Sequence, residues 1–262
     1  MQRGRLADNV DLIVTPDAAT AARAAAGRIA HALADAVRMR GRADWATTGG
    51  SAAPEIYRRL VEPPLRDTTP WSHVHVWWGD DRFVPRDHVL SNIKPLDDIL
   101  LDPERTVAIP ISQLHPFRTS ESIAAGWGAA RTAELLADEL ATAGLPTKDG
   151  WPVLDLVLIG IGTDGHLLSV FPGSPALESD AWALAVPAPT HIEPHVERVT
   201  LNPAILGTAR EIVAVASGAG KAGILESVFG PERDPGRWPA QLAVRPNATW
   251  ILDEAAAARL GR

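Results

Sequence analysis

The chain has 262 residues, 46% apolar and 22% charged, with a net charge of −7 and no cysteine. Such a composition suits a globular protein with a sizeable core. It excludes disulfides, thiol nucleophiles and cysteine metal sites, and the acidic balance argues against general nucleic-acid binding.

No apolar run nears the roughly 20 residues that span a membrane, and Met1–Val10 lacks the apolar centre of a signal peptide. The expected setting is the cytoplasm, with no membrane or nucleic-acid partner. Asp11–Thr15 reads as a strand stopped by Pro16, and Asp17–Arg40 as an alanine-rich helix that Gly41 ends. Asp44–Thr48 is a second strand running into Gly49-Gly50-Ser51, and Ala52–Leu60 a helix. His73–Trp78 is β-rich and meets the turn Gly79-Asp80-Asp81-Arg82. A helix is expected over Ser91–Leu101 with Ser91-Asn92 as its cap. A short strand over Thr106–Ile109 and a helix over Ser120–Ala143, ended by Gly144, follow.

The apolar run Leu154–Ile161 contains a strand over Asp155–Ile159. Ala183–Val186, Val199–Leu201 and Glu211–Ala216 are further strands, and Ala219–Phe229 is a helix. Pro231–Pro239 is a loop, Thr249–Leu252 a last strand and Asp253–Leu260 a last helix. Strands alternating with helices imply an α/β fold, a mostly parallel sheet with helices on both faces. With no repeat, linker or composition break, residues 1–262 read as one domain.

The richest stretch is LIGIGTDGHLLSVFPGSPAL, from Leu158 to Leu177. A buried strand ends in glycines and presents Asp164 and His166, and the carboxyl ends of parallel strands are where such folds bind ligands. Histidine takes and returns protons near neutral pH. Ser169 follows, but without a nucleophile elbow. Gly49, Gly50 and Ser51 between strand and helix suit a phosphate or, more plainly, a tight turn with Ser51 as cap. Arg82 offers a fork for a phosphate, a carboxylate or an oxyanion, set against a solvated Asp–Arg turn. Arg198 opens a strand, and Ser217-Gly218-Ala219-Gly220-Lys221 opens a helix whose dipole favours an anion. His73 and His75, among tryptophans and without acidic neighbours in sequence, read as packing residues. His191 and His195, in a Pro- and Glu-rich loop, read as surface residues, and no metal site is expected. Each anion-binding constellation follows a strand, so all converge on one sheet edge. Together they suit a phosphorylated small molecule and a proton-transfer step.

GIGTDGHLLSVFPGS resembles the signature of the 6-phosphogluconolactonase family around its catalytic histidine. GDDRFVP with Ser91-Asn92, Arg198-Val199-Thr200-Leu201, Ser217-Gly218 with Lys221, and Ala248–Asp253 are similar to further family segments in the same order. The likeness runs from about Asp11 to Leu260. Three departures stand out: Ala52 where the family has threonine, Asp81 where it has glutamate, and Leu167-Leu168 for smaller residues.

The resemblance implies a Rossmann-like fold related to glucosamine-6-phosphate deaminases and ribose-5-phosphate isomerases. It also implies hydrolysis of 6-phospho-D-glucono-1,5-lactone, with no metal or organic cofactor. On that basis His166, Asp164 and Arg82 are the expected catalytic residues. Gly49, Gly50, Ser51, Asp80, Arg198 and Lys221 are expected to bind the substrate, a sugar-phosphate lactone. A monomer or weak homo-oligomer is expected. The alternatives are a sugar-phosphate deaminase or isomerase, with Asp80 or Asp81 as carbon base, and a non-catalytic sugar-phosphate-binding domain.

Overall fold

The computed structural model describes the backbone of residues 2–5 and residues 10–102, 104 and 107–261. The chain opens with β1 (Gln2–Arg5) and β2 (Asp11–Thr15), then α1 (Ala18–Arg40) and β3 (Ala43–Thr47). It continues through α2 (Ala53–Leu60), α3 (Leu65–Thr68), β4 (Val74–Trp78), β5 (Asp80–Arg82) and α4 (Lys94–Ile99). Next come β6 (Leu114–His115), α5 (Thr119–Ala124), α6 (Ala129–Thr142), the hairpin β7 (Thr147–Lys148) and β8 (Trp151–Pro152), and β9 (Leu156–Gly160). It closes with β10 (Ala183–Val186), β11 (Arg198–Leu201), β12 (Glu211–Ala216), α7 (Ala222–Val228) and β13 (Ala248–Asp253).

Eight strands form one sheet in the order β1-β2-β13-β12-β9-β3-β4-β6. Every pairing in it is parallel except β1 with β2. The fold is therefore α/β, a mostly parallel sheet flanked by helices. After β3 the chain builds outward through β4 and β6. It then returns to β9 on the other side of β3 and builds outward again through β12 and β13. The order reverses between β3 and β9, which is where open α/β sheets form their ligand crevice.

The strands are apolar on both faces because the sheet is covered on both: β3, β9 and β12 hardly alternate, and Trp45, Trp77, Trp78 and Trp250 are fully buried. Helix α1 buries Ala21, Ala22, Ala25, Ala26, Ile29, Ala30, Leu33 and Ala36, the spacing of one helical face. Asp17 caps it by accepting from the Thr20 amide at 2.7 Å, and Gly41 ends it with φ 74°. No helix among the described residues is long and apolar enough to cross a membrane.

Several expectations need correction. Asp80–Arg82 is not a turn but the edge of a separate antiparallel sheet, β10-β11-β5. The constellations therefore meet from two sheets rather than from one edge. The Ser91–Leu101 helix shrinks to α4, which no side chain caps, because Ser91 and Asn92 turn toward the acids of β5. The Ser120–Ala143 helix breaks into α5 and α6 around Gly126, whose φ is 71°. Thr106 lies outside the described residues, and residues 107–109 are irregular; the next strand is β6. The Ala219–Phe229 helix begins as a 3-10 turn, Ala219–Lys221. Asp253–Leu260 forms turns rather than a helix. There Asp253 spends its carboxylate on the amides of Gly218 (2.9 and 3.0 Å) and Ala256 (2.7 Å), tying β13 to the end of β12.

His75 also differs from its reading as a packing residue. Its Nδ1 lies 2.9 Å from Nε2 of His115, whose Nδ1 lies 2.6 Å from Glu139. The acidic partner arrives from α6, invisible in the local sequence. Burial first, and then the positive charge of Arg42, pushes His75 down to about 4.

Candidate active site

A cavity of about 650 Å³ opens at the carboxyl ends of β3, β9, β12 and β13, within the size range of small-molecule sites. Gly49, Gly50, Ser51, Asp80, Arg82, His166 and Lys221 all line it. Asp164 stands behind His166, and Arg198 behind Arg82.

The segment after β9 folds back on itself. The Gly162 amide donates to the His166 carbonyl at 2.8 Å, and Gly165 turns with φ 87°. The turn brings Nδ1 of His166 within 2.6 Å of Asp164 Oδ1, which also accepts the His166 amide at 3.1 Å. A carboxylate only accepts, so Nδ1 carries a proton, which in the neutral imidazole leaves the lone pair on Nε2. Burial by itself raises the Asp164 carboxyl. The hydrogen bond and charge of His166, a bond from His191 and the His166 amide outweigh it and hold the carboxyl well below the usual carboxylate range. Asp164 is therefore ionised, and it fixes both the tautomer and the orientation of the imidazole.

Room for the pair exists only because residue 162 is glycine. A Cβ there would lie 2.0 Å from His166 Nδ1 and 2.5 Å from Asp164 Oδ1. Gly49 is glycine for a similar reason: a Cβ would lie 1.9 Å from Asn92 Oδ1. Asn92 in turn donates to the Asp80 carbonyl (3.0 Å) and Oδ1 (3.2 Å), and Ser169 donates to Asp80 Oδ2 at 2.6 Å. Ser169 is thus a buried brace for Asp80 and is spent as a nucleophile. Ser51 does not cap α2. The cap position is Ala52, with no side-chain bond, and the first turn holds Pro54, which has no N–H; Ala53 and Glu55 of that turn line the cavity.

Arg82 and Arg198 face each other across the β5–β11 pairing. Arg82 donates to the Leu90 carbonyl at 2.6 Å and Arg198 to the Pro194 carbonyl at 2.8 Å. Each leaves a buried Nε without a partner among the described residues. Burial, followed by the like charge of Arg82, pushes Arg198 down to about 10. Lys221 donates to the Ile161 carbonyl at 2.6 Å, and burial lowers it while Asp164 opposes the change. These cations are held by carbonyls rather than by carboxylate partners, which leaves their charge available to an anion.

Asp81, beside the cavity, is fully buried. It accepts from the amides of Asn92 (2.6 Å) and Arg82 (2.8 Å) and from Ser91 Oγ (3.1 Å). Burial nevertheless pushes its carboxyl up to about 7, with help from the charge of Asp80. A value raised on folding stabilises the protein fully below the unfolded value of about 3.9, and that stabilisation is lost as pH rises toward about 7. Asp81→Asn keeps one oxygen for the two amides and reverses the bond to Ser91, with its amide N–H donating to Ser91 Oγ, and is expected to flatten that decline in urea denaturation between pH 4 and 8. Asp81→Ala strands three donors, at about 1–3 kcal/mol each, and is expected to be strongly destabilised at every pH. Equal pH dependence in wild type and Asp81→Asn would refute the raised value.

The sequence matches the family model for glucosamine-6-phosphate isomerases/6-phosphogluconolactonase over residues 16–252. The chain belongs to this family. It is 36% identical over 250 residues to the 6-phosphogluconolactonase of Mycobacterium tuberculosis, covering 94% of this chain and 97% of that protein. The structure of 6-phosphogluconolactonase from Trypanosoma brucei superposes with a TM-score of 0.82 at 26% identity, covering 99% of this chain and all of that one. A monomeric glucosamine-6-phosphate deaminase shares the fold, with a TM-score of 0.74 at 16% identity over 95% of this chain and 99% of that one.

Sequence reasoning missed His191. Its reading as a surface residue holds, with a side chain 48% exposed, but its contact was not read: its Nε2 lies 2.7 Å from Asp164 Oδ2. The Pro-rich stretch around it carries no periodicity from which that contact could have been read.

Proposed function

We propose that this chain, acting as one domain, hydrolyses 6-phospho-D-glucono-1,5-lactone to 6-phospho-D-gluconate, with His166 as the water-activating base. The observation that carries the reading is the Asp164–His166 pair at 2.6 Å, with His166 lining the same cavity as Arg82 and Lys221. His166 Nε2 takes a proton from water as the water oxygen bonds to C1 of the lactone. The electron pair of the carbonyl moves onto its oxygen, and Arg82 is the cation suited to steady that charge. When the carbonyl re-forms, the bond from C1 to the ring oxygen breaks and His166 returns the proton to that oxygen. Asp164 stabilises the imidazolium between the two transfers.

Lys221, with Gly50 and Ser51 at the uncapped start of α2, is suited to the 6-phosphate, and Arg198 supports the anion field from behind Arg82. Asp80 is suited to a sugar hydroxyl, and Gly49 serves by admitting Asn92. The reaction needs only water and these side chains, and its partner is the small-molecule lactone.

The test is to generate the lactone in situ and compare its loss with spontaneous hydrolysis, with glucosamine 6-phosphate and ribose 5-phosphate as alternative substrates. Acceleration on the lactone alone is expected; no acceleration would overturn the reading. Lys221→Ala and Arg198→Ala are expected to raise KM about tenfold or more with smaller changes in kcat, the larger effect falling on Lys221 because it lines the cavity. Unchanged KM in both would show that the phosphate binds elsewhere.

A further inference from the structure

The connection between β10 and β11 carries a histidine that the reaction above leaves unused. Asp164 is held at both ends: Oδ1 takes His166 Nδ1 at 2.6 Å, and Oδ2 takes His191 Nε2 at 2.7 Å. Both contacts are made to an acceptor, so His191 presents Nε2–H just as His166 presents Nδ1–H. Phe171 packs between the two rings, its centroid 4.8 Å from His166 at 50° and 5.8 Å from His191 at 90°. The neighbouring Ile192 lines the cavity, so the same bond fixes the position of the loop that bounds the site.

We propose that His191 is a positioning residue for the water-activating pair, holding the outer oxygen of Asp164 so that the inner oxygen stays on His166 Nδ1. The inference rests on His166 being the base. An aspartate side chain turns about two bonds, and Asp164 sits on a tight turn with its side chain 16% exposed, so water reaches it. Without a donor on Oδ2, the carboxylate is held through Oδ1 alone, by His166 Nδ1 (2.6 Å) and the His166 amide (3.1 Å), and any turn of it toward water loosens the contact that fixes the His166 tautomer. Lys221 makes no hydrogen bond to Asp164 among the described residues: its ammonium donates to the Ile161 carbonyl at 2.6 Å and meets Asp164 only through its charge.

Three variants test the role. His191→Phe keeps a ring against Phe171 but removes the donor, His191→Ala removes both, and His191→Gln restores an amide N–H near the place of Nε2. His191→Phe and His191→Ala are expected to lower kcat about tenfold, the size of effect typical of groups that orient a catalytic ligand. KM is expected to stay within about twofold, and His191→Gln to recover most of the loss. In parallel, proton NMR of the wild type without substrate is expected to show a downfield, slowly exchanging His166 Nδ1 proton that broadens or disappears in His191→Phe. A His191→Phe variant with wild-type kcat, a change confined to KM, no recovery in His191→Gln, or an unchanged Nδ1 proton would each overturn the role. The NMR reading needs no turnover. If the wild type fails to hydrolyse the lactone, the proposed function falls while the orienting contact is still tested; if only the variants behave like wild type, the role of His191 alone falls.

Discussion

Alanine at position 166 is expected to lower kcat on the lactone by about 10²–10⁴-fold, the range that general acid–base catalysis contributes, while KM changes little. The separation follows from where the residue stands. His166 lines the cavity and its Nδ1 is committed to Asp164, which leaves Nε2 as the atom that meets water. The groups suited to the phosphate, Lys221 and the start of α2, come from other elements. Removing the imidazole therefore takes away an interaction used mainly at the transition state and leaves ground-state binding in place. Initial rates against lactone concentration, corrected for spontaneous hydrolysis, give both constants. A near-normal kcat would remove His166 from the chemistry, and a loss confined to KM would make it a binding group.

The reach of the sequence can be judged from which features were local. The parallel strands were legible because a strand covered on both faces must be apolar throughout; β2 and β12 fall where the residues predicted them. The end of α1 was legible too, since Gly41 stops it by its own chemistry, while Asp17, read as its first residue, is its cap. The Asp164–His166 contact was within reach because a tight turn joins residues two apart. What was not legible depends on partners distant in sequence. Asp80–Arg82 looks like a polar turn, and becomes a strand only because Arg198–Thr200 pairs with it. Ser91-Asn92 has the composition of a cap, yet the buried carboxylates of Asp80 and Asp81 draw those side chains away from the helix. His191 and the His75–His115–Glu139 chain are contacts between elements, and neither leaves a period or a spacing in the sequence. Gly49 was read as a phosphate contact, and nothing in the sequence signals that its lack of a side chain also makes room for Asn92, 43 positions later in the chain.

The reading of Gly162 as a packing requirement leads to the sharpest test of the pair. Gly162→Ala is expected to approach the loss seen on deleting the imidazole, about 10²-fold or more in kcat, in a protein that still folds. The nearest neighbours of the added methyl would be His166 Nδ1 at 2.0 Å, His166 Cε1 at 2.3 Å and Asp164 Oδ1 at 2.5 Å. All three atoms belong to side chains, so the fold has no need to shift, but the two side chains cannot remain where they are. Residue 162 is also not among the glycines with positive φ, so alanine meets no backbone penalty there. The lost freedom of the unfolded chain favours the variant by about 0.4–1 kcal/mol. Against this, the displaced pair gives up the hydrogen bonds that hold the Asp164 carboxyl low, so thermal unfolding is expected near or modestly below the wild-type midpoint while turnover collapses. Because the imidazole is still present, a collapsed kcat in a stable Gly162→Ala protein would tie catalysis to the Asp164–His166 geometry rather than to the mere presence of a histidine. Wild-type turnover in that variant would mean that the 2.6 Å contact is not what the reaction uses.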